Sequence, residues 1–221
     1  MARGQFGKTM DDLFRRGQWE RARKLLRAEL AKEPDNHWLW TQLGVTFYEQ
    51  RRYREALPLF LRSRKIVPDC PLTLWNLAGT LDALGKRAQA ARIYTWLLQS
   101  EISPKEDPCW ENNEWAEALK ADCLYRLGVI RERRGRRQEA EKCYRQYLDL
   151  LLLGVNGSYT PEDVTRRIRA LHPNGGPRGV SVEIRKAARS TLRASNGALA
   201  TRRPRRLSRS KLGGLPRSRS K

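Results

Sequence analysis

Two histidines and four cysteines are the side chains of this 221-residue sequence best suited to proton transfer, nucleophilic attack or metal ligation. His37 stands at a junction between helical segments and His172 past the last of them, and neither is paired with a nucleophile as general-base catalysis requires. Cys70, Cys109, Cys123 and Cys143 form no C-x-x-C pair. In a reducing compartment such thiols fill small core spaces, so they read as structural, and no metal site is assigned. Phosphate-cradling loops of the G-x-x-x-x-G-K-[ST] or G-x-G-x-x-G kind do not occur. Glu111 and Glu114 belong on a solvated helix face. These features predict a chain that is not an enzyme and uses no cofactor.

Charge suggests a different chemistry. The chain carries a formal +21, of which +13 falls in residues 172–221, where 14 Lys and Arg face the single acid Glu183. Arg202, Arg203, Arg205, Arg206 and Arg209 form its densest part, and they could neutralise phosphates by counterion release, without sequence preference. No aromatic residue follows Tyr159, so base stacking is absent from this segment. Rich in Gly, Pro, Ser and Arg, residues 173–221 are expected to be largely disordered, since they cannot bury enough apolar surface to offset ordering entropy. Ser208, after Arg205-Arg206-Leu207, has the form of a basic-directed phosphorylation site.

The elements that would position any site are set by an internal repeat. Ala22, Ala56 and Ala90 are spaced by 34 residues, as are Leu26, Phe60 and Tyr94, and Leu43 and Leu77. A further unit lies 50 residues beyond the third, with Leu124, Leu127, Gly128, Ala140 and Tyr144 in the matching places. Trp40, Leu43, Gly44 and Phe47 fall three and four apart, as do Ala56, Leu59, Phe60 and Ser63, so each set forms one stripe of a helix. Gly17, Gly85 and Gly135 mark the turns between paired helices, and Pro34 and Pro68 close their units. Pro58 falls early enough in its helix not to break it.

Trp40, Leu43, Gly44, Phe47, Ala56, Phe60 and Pro68 together resemble the tetratricopeptide repeat, over roughly residues 9–150. The resemblance implies an all-α, right-handed superhelical stack of antiparallel helix pairs. Repeats are placed near 9–36, 37–70, 71–104 and 121–154, with an insertion at 105–120 whose second half lengthens the next helix. The insertion's acids, Glu106, Asp107, Glu111, Glu114 and Glu117, form a local negative patch, read as a solvated face or as a contact for basic chain. Thr160-Pro161-Glu162-Asp163 opens a capping helix, 161–171, whose Val164, Ile168 and Leu171 close the stack. The helical domain thus ends at 172.

The resemblance also implies that the first helix of each pair lines a concave surface. Opposite the packing set 40, 43, 44 and 47, that helix presents Trp38, Thr41, Val45 and Tyr48; Trp75 and Tyr125 follow in later repeats, flanked by Asn76 and Arg126. An aromatic row with a few polar donors suits an extended segment of a partner protein. Asn76 and Arg126 match part of a carboxylate clamp known in the family, but Thr41, Val45 and Asp122 stand where it needs Lys or Asn. Chaperone-tail binding is therefore not expected. The predicted function is a protein-interaction scaffold; the alternative is polyanion binding through the arginine-rich tail. Without a secretory leader or an apolar run long enough to span a bilayer, a cytoplasmic location is expected.

Overall fold

A computed structural model describes residues 3–100, 109 and 112–172 of the chain. Among the described residues there are nine helices and no strand. They divide into two compact units, 3–93 with Cys109, and 94–100 with 112–172. The Arg-rich segment beyond residue 172, including Arg202, Arg203, Arg205, Arg206 and Arg209, and most of the insertion lie outside the described residues.

The first unit holds α1 (Arg3–Arg15), α2 (Trp19–Leu30), α3 (His37–Glu49), α4 (Tyr53–Ile66) and α5 (Pro71–Ala83); the division between units falls inside α6 (Arg87–Gln99). Each of α1 to α5 packs on its neighbour in sequence, and α3 also touches α5. That skip-one contact places the first helices of successive repeats side by side. Within the second unit, α7 (Asn113–Arg133) forms a hairpin with α8 (Arg137–Leu152), and α9 (Pro161–Leu171) packs on α8. At 21 residues α7 is longer than the 13 of α3, because it begins at Asn113, inside the insertion.

The repeating side chains are the core. Ala22, Ala56, Ala90 and Ala140 are fully buried, as are Leu26, Phe60, Tyr94 and Tyr144. A methyl group placed on Gly44 would sit 2.6 Å from Phe60 Cε1, and one on Gly128 2.5 Å from Tyr144 Cε1. Glycine is therefore required where the aromatic ring of the second helix lies flat on the first helix's backbone. Burying one such ring contributes about 1.5–3 kcal/mol. Pro58 sits within a continuous α4.

One helix terminus recurs with the same hydrogen bonds. After α3, the N–H of Arg51 donates to the Tyr48 carbonyl at 2.8 Å and that of Arg52 to Phe47 at 3.0 Å. The same pair of bonds closes α1, α5, α7 and α8 at Gly17, Gly85, Gly135 and Gly154. This end requires one left-handed residue, which glycine adopts without a Cβ penalty. Repeat two uses Arg51 there, at φ 60°.

Candidate functional site

The residues predicted to line an open concave row are, with one partial exception, buried by the chain itself. Thr41 has no exposed surface, and its hydroxyl lies 2.7 Å from Ser63 Oγ and 2.8 Å from Thr73 Oγ1, joining α3, α4 and α5. Val45 is buried. Tyr48 packs edge-on against Tyr53, ring centroids 5.2 Å apart, with its hydroxyl against Gly79 of α5. Trp75 and Asn76 are buried, and the Asn76 amide donates to the Leu72 carbonyl at 2.8 Å. Only Trp38 is partly exposed, and it meets Phe6 of α1 edge-on at 6.3 Å. The expectation of an exposed row is corrected here. Thr41 and Tyr48 lie where α3 meets both α4 and α5, the next first helix, so these side chains form a seam between repeats.

Tyr125 and Arg126 are likewise enclosed, by the second unit's own carboxyl end. Tyr125 stacks on Tyr159 with centroids 3.5 Å apart and planes 13° from parallel, and Arg167 Nε of α9 donates to its hydroxyl at 2.9 Å. Arg167 also pairs with Glu132 at 2.9 Å, and the Arg126 guanidinium lies 5.8 Å from the Tyr159 ring. Asp122 accepts from the backbone N–H of Ser158 at 2.8 Å and from its hydroxyl. Burial pushes the Asp122 carboxyl up to about 6, although Ser158 and Arg126 favour its charged form.

An open surface exists elsewhere. In the first unit a cleft of about 450 Å³ runs between α2, α3 and α4, floored by Leu43 and Phe47 and walled by Leu30, Trp40 and Leu59. Arg27 and Glu55 add one charge of each sign to its lining. The Trp40 indole N–H donates to the Pro34 carbonyl at 2.7 Å, which fixes the ring's orientation at the edge. Such an apolar floor with fixed polar groups at its margin is what an apolar segment requires.

Comparison with known proteins agrees with the packing. The family description "Tetratricopeptide repeat" matches residues 10–71 and, through a second model of the same description, residues 123–162. This chain contains tetratricopeptide repeats. A TPR repeat-containing protein of Pseudomonas aeruginosa is 38% identical over 77 residues, 34% of the chain and 13% of that relative. Protein O-mannosyl-transferase TMTC3 of Mus musculus is 24% identical over 146 residues, 64% of the chain and 15% of that relative. The repeat protein thus spans less than a sixth of these curated relatives. Among solved structures, a MamA double mutant superposes with a TM-score of 0.60 at 14% identity, over 87% of the chain and 96% of MamA. MamA from residue 41 onward, from Desulfovibrio magneticus, gives 0.58 at 13%, over 90% and 97%. At these identities the likeness is one of fold. No described helix is long and apolar enough to cross a membrane.

The sequence reading missed one cluster. His37, Cys70 and Cys109, all buried, bring their ligand atoms within 4.8 Å of one another, with Cys109 Sγ 3.3 Å from His37 Nε2. Cys70 occupies the N-cap position of α5. Hydrogen bonds from Cys109, and then from His37 and Thr73, bring its thiol down to about 6 against the opposing effect of burial. Separations of 33 and 39 residues follow no helical or metal-site spacing, so only the presence of His and Cys could have signalled it.

Proposed function

We propose that this tetratricopeptide-repeat protein is a non-enzymatic scaffold that holds an extended, apolar segment of a partner protein. The observation that carries the reading is the cleft of α2, α3 and α4, which offers Trp40 and Leu59 over a floor of Leu43 and Phe47. Trp75, Tyr125 and the other enclosed residues then act by setting the stack's geometry, and the partner contacts the cleft. The mannosyl-transferase activity named for one relative belongs to a protein matched over 15% of its length, and it supports no catalytic reading of this chain. Four buried cysteines, none of them in a disulfide, suit a reducing, cytoplasmic setting.

A displayed library of random peptides, selected against the full chain, tests the proposal. Selected peptides should be apolar, and Leu59→Arg should weaken the best of them by roughly 30-fold, the equivalent of about 2 kcal/mol at a hot spot. Trp40→Ala should act in the same direction, whereas removal of residues 173–221 should leave affinity unchanged. Binding that survives Leu59→Arg overturns the cleft. Binding of polyanions that depends on residues 173–221, with no peptide selected, favours the arginine-rich tail instead.

A further inference from the structure

We infer that His37, Cys70 and Cys109 form a binding site for a zinc-class metal ion. The three side chains come from the start of α3, the N-cap of α5 and a turn residue 39 positions beyond Cys70. Each is buried, and their donor atoms converge within 4.8 Å. Two sulfurs and one imidazole are soft to borderline donors, and among the described residues no carboxylate belongs to the cluster, so the set favours zinc over magnesium or calcium. Two thiolates with one imidazole make a three-ligand zinc set that leaves a fourth coordination position. Tetrahedral zinc, with Zn–S about 2.3 Å and Zn–N about 2.0 Å, needs ligand atoms roughly 3.5–3.8 Å apart. His37 Nε2 and Cys109 Sγ already lie 3.3 Å apart, so small side-chain rotations complete the site.

The surroundings hold these ligands in place. Thr73, which hydrogen-bonds the Cys70 sulfur, lies 2.9 Å from Ser63 and 2.8 Å from Thr41. Ser63 in turn donates to the carbonyl of His37 at 2.8 Å. One buried hydroxyl cluster therefore braces two of the three ligands through their own backbone or side chain, the kind of outer support that orients metal ligands. Bound metal would tie the turn at Cys109 to the junction of repeats two and three.

The test uses the full chain, purified under reducing conditions, stripped with a chelator and titrated with Zn²⁺ by calorimetry and with Co²⁺ by absorption. One ion per chain is expected, with a near-ultraviolet thiolate-to-cobalt band. Cys70→Ser and Cys109→Ser should each lower Zn²⁺ affinity by more than the roughly 10- to 100-fold typical of losing an outer-shell partner. Cys123→Ala and Cys143→Ala, at buried thiols outside the cluster, should leave it unchanged. If a variant does not fold, the wild-type cobalt band still decides, because it must report two thiolates. Absence of tight metal in the wild-type chain, a cobalt spectrum without thiolate bands, or stoichiometric binding that persists in Cys70→Ser/Cys109→Ser would overturn the site.

Discussion

Repeats two and four solve the same packing problem inside the helix pair and different ones outside it. In both, a glycine of the first helix receives a fully buried aromatic ring from the second, Phe60 on Gly44 and Tyr144 on Gly128. Beyond the pair they diverge. Around α3 the junction with α4 and α5 is sealed by neutral groups, the hydroxyls of Thr41, Ser63 and Thr73 and the ring of Tyr48. The outer face of α7 is sealed by ionisable ones, Asp122 with Ser158 and Glu132 with Arg167, around the stacked rings of Tyr125 and Tyr159. The internal seam meets another repeat and is closed by uncharged hydroxyls and a ring; the terminal seam meets a loop and a short helix, and here it is closed by ionisable groups.

The shared half of this comparison breaks most strongly. Phe60→Ala and Tyr144→Ala should each cost about 3–5 kcal/mol in denaturant titrations followed by fluorescence, since both rings are fully enclosed. A markedly smaller loss at Tyr144 would mean that the two pairs are not equivalent. The unshared half should appear as pH dependence. The Asp122 carboxyl is raised to about 6 from an ordinary 3.8, so between those values the folded state binds more protons than the unfolded one. Stability from this group therefore falls as pH rises from about 4 to about 6 and stays lowered above. Asp122→Asn, whose amide can still pair with Ser158, should gain on the wild type across that window by on the order of 3 kcal/mol. Parallel stability curves for the two proteins would remove the ionic account of the terminal seam, and Ser63→Ala in the neutral seam should show the same cost at both ends of the window.

Smaller effects sharpen the contrast. Gly44→Ala and Gly128→Ala should each destabilise by about 1–3 kcal/mol through overpacking. The larger loss is expected at Gly128, because the Tyr144 hydroxyl donates to Glu132 at 2.5 Å and its ring cannot withdraw without breaking that bond. At the turn, Arg51→Gly should stabilise repeat two by about 0.5–1 kcal/mol, the relief of a left-handed side chain less the added chain entropy. No such gain is available in repeat four, where Gly135 already holds the position at φ 74°.

Much of the fold was legible because identical side chains recur where identical contacts recur. A 34-residue spacing of alanine and a bulky apolar partner has a direct physical meaning, close backbone approach of paired helices, and all of those positions are buried. Thr41, Val45, Tyr48, Trp75, Asn76, Tyr125 and Arg126 are buried where the sequence predicts an open row, for an equally physical reason. Helical periodicity reveals which side of α3 faces α4, but it does not reveal that α5 covers a second side. The cleft is half-visible in the sequence, since Trp40, Leu43 and Phe47 form an apolar stripe at helical spacing while no spacing joins Leu30 of the preceding repeat to it.

Sequence by itself determined the helix pairs, their turns and the tetratricopeptide character, because these rest on contacts between residues a fixed distance apart. Tertiary structure alone decided which faces stay open and which distant side chains meet. Enclosure of Tyr125 by Tyr159 and Arg167, and convergence of His37 with Cys70 and Cys109, depend on where whole helices and loops come to rest. That placement is a sum over many weak packing terms, and no single spacing along the chain records it.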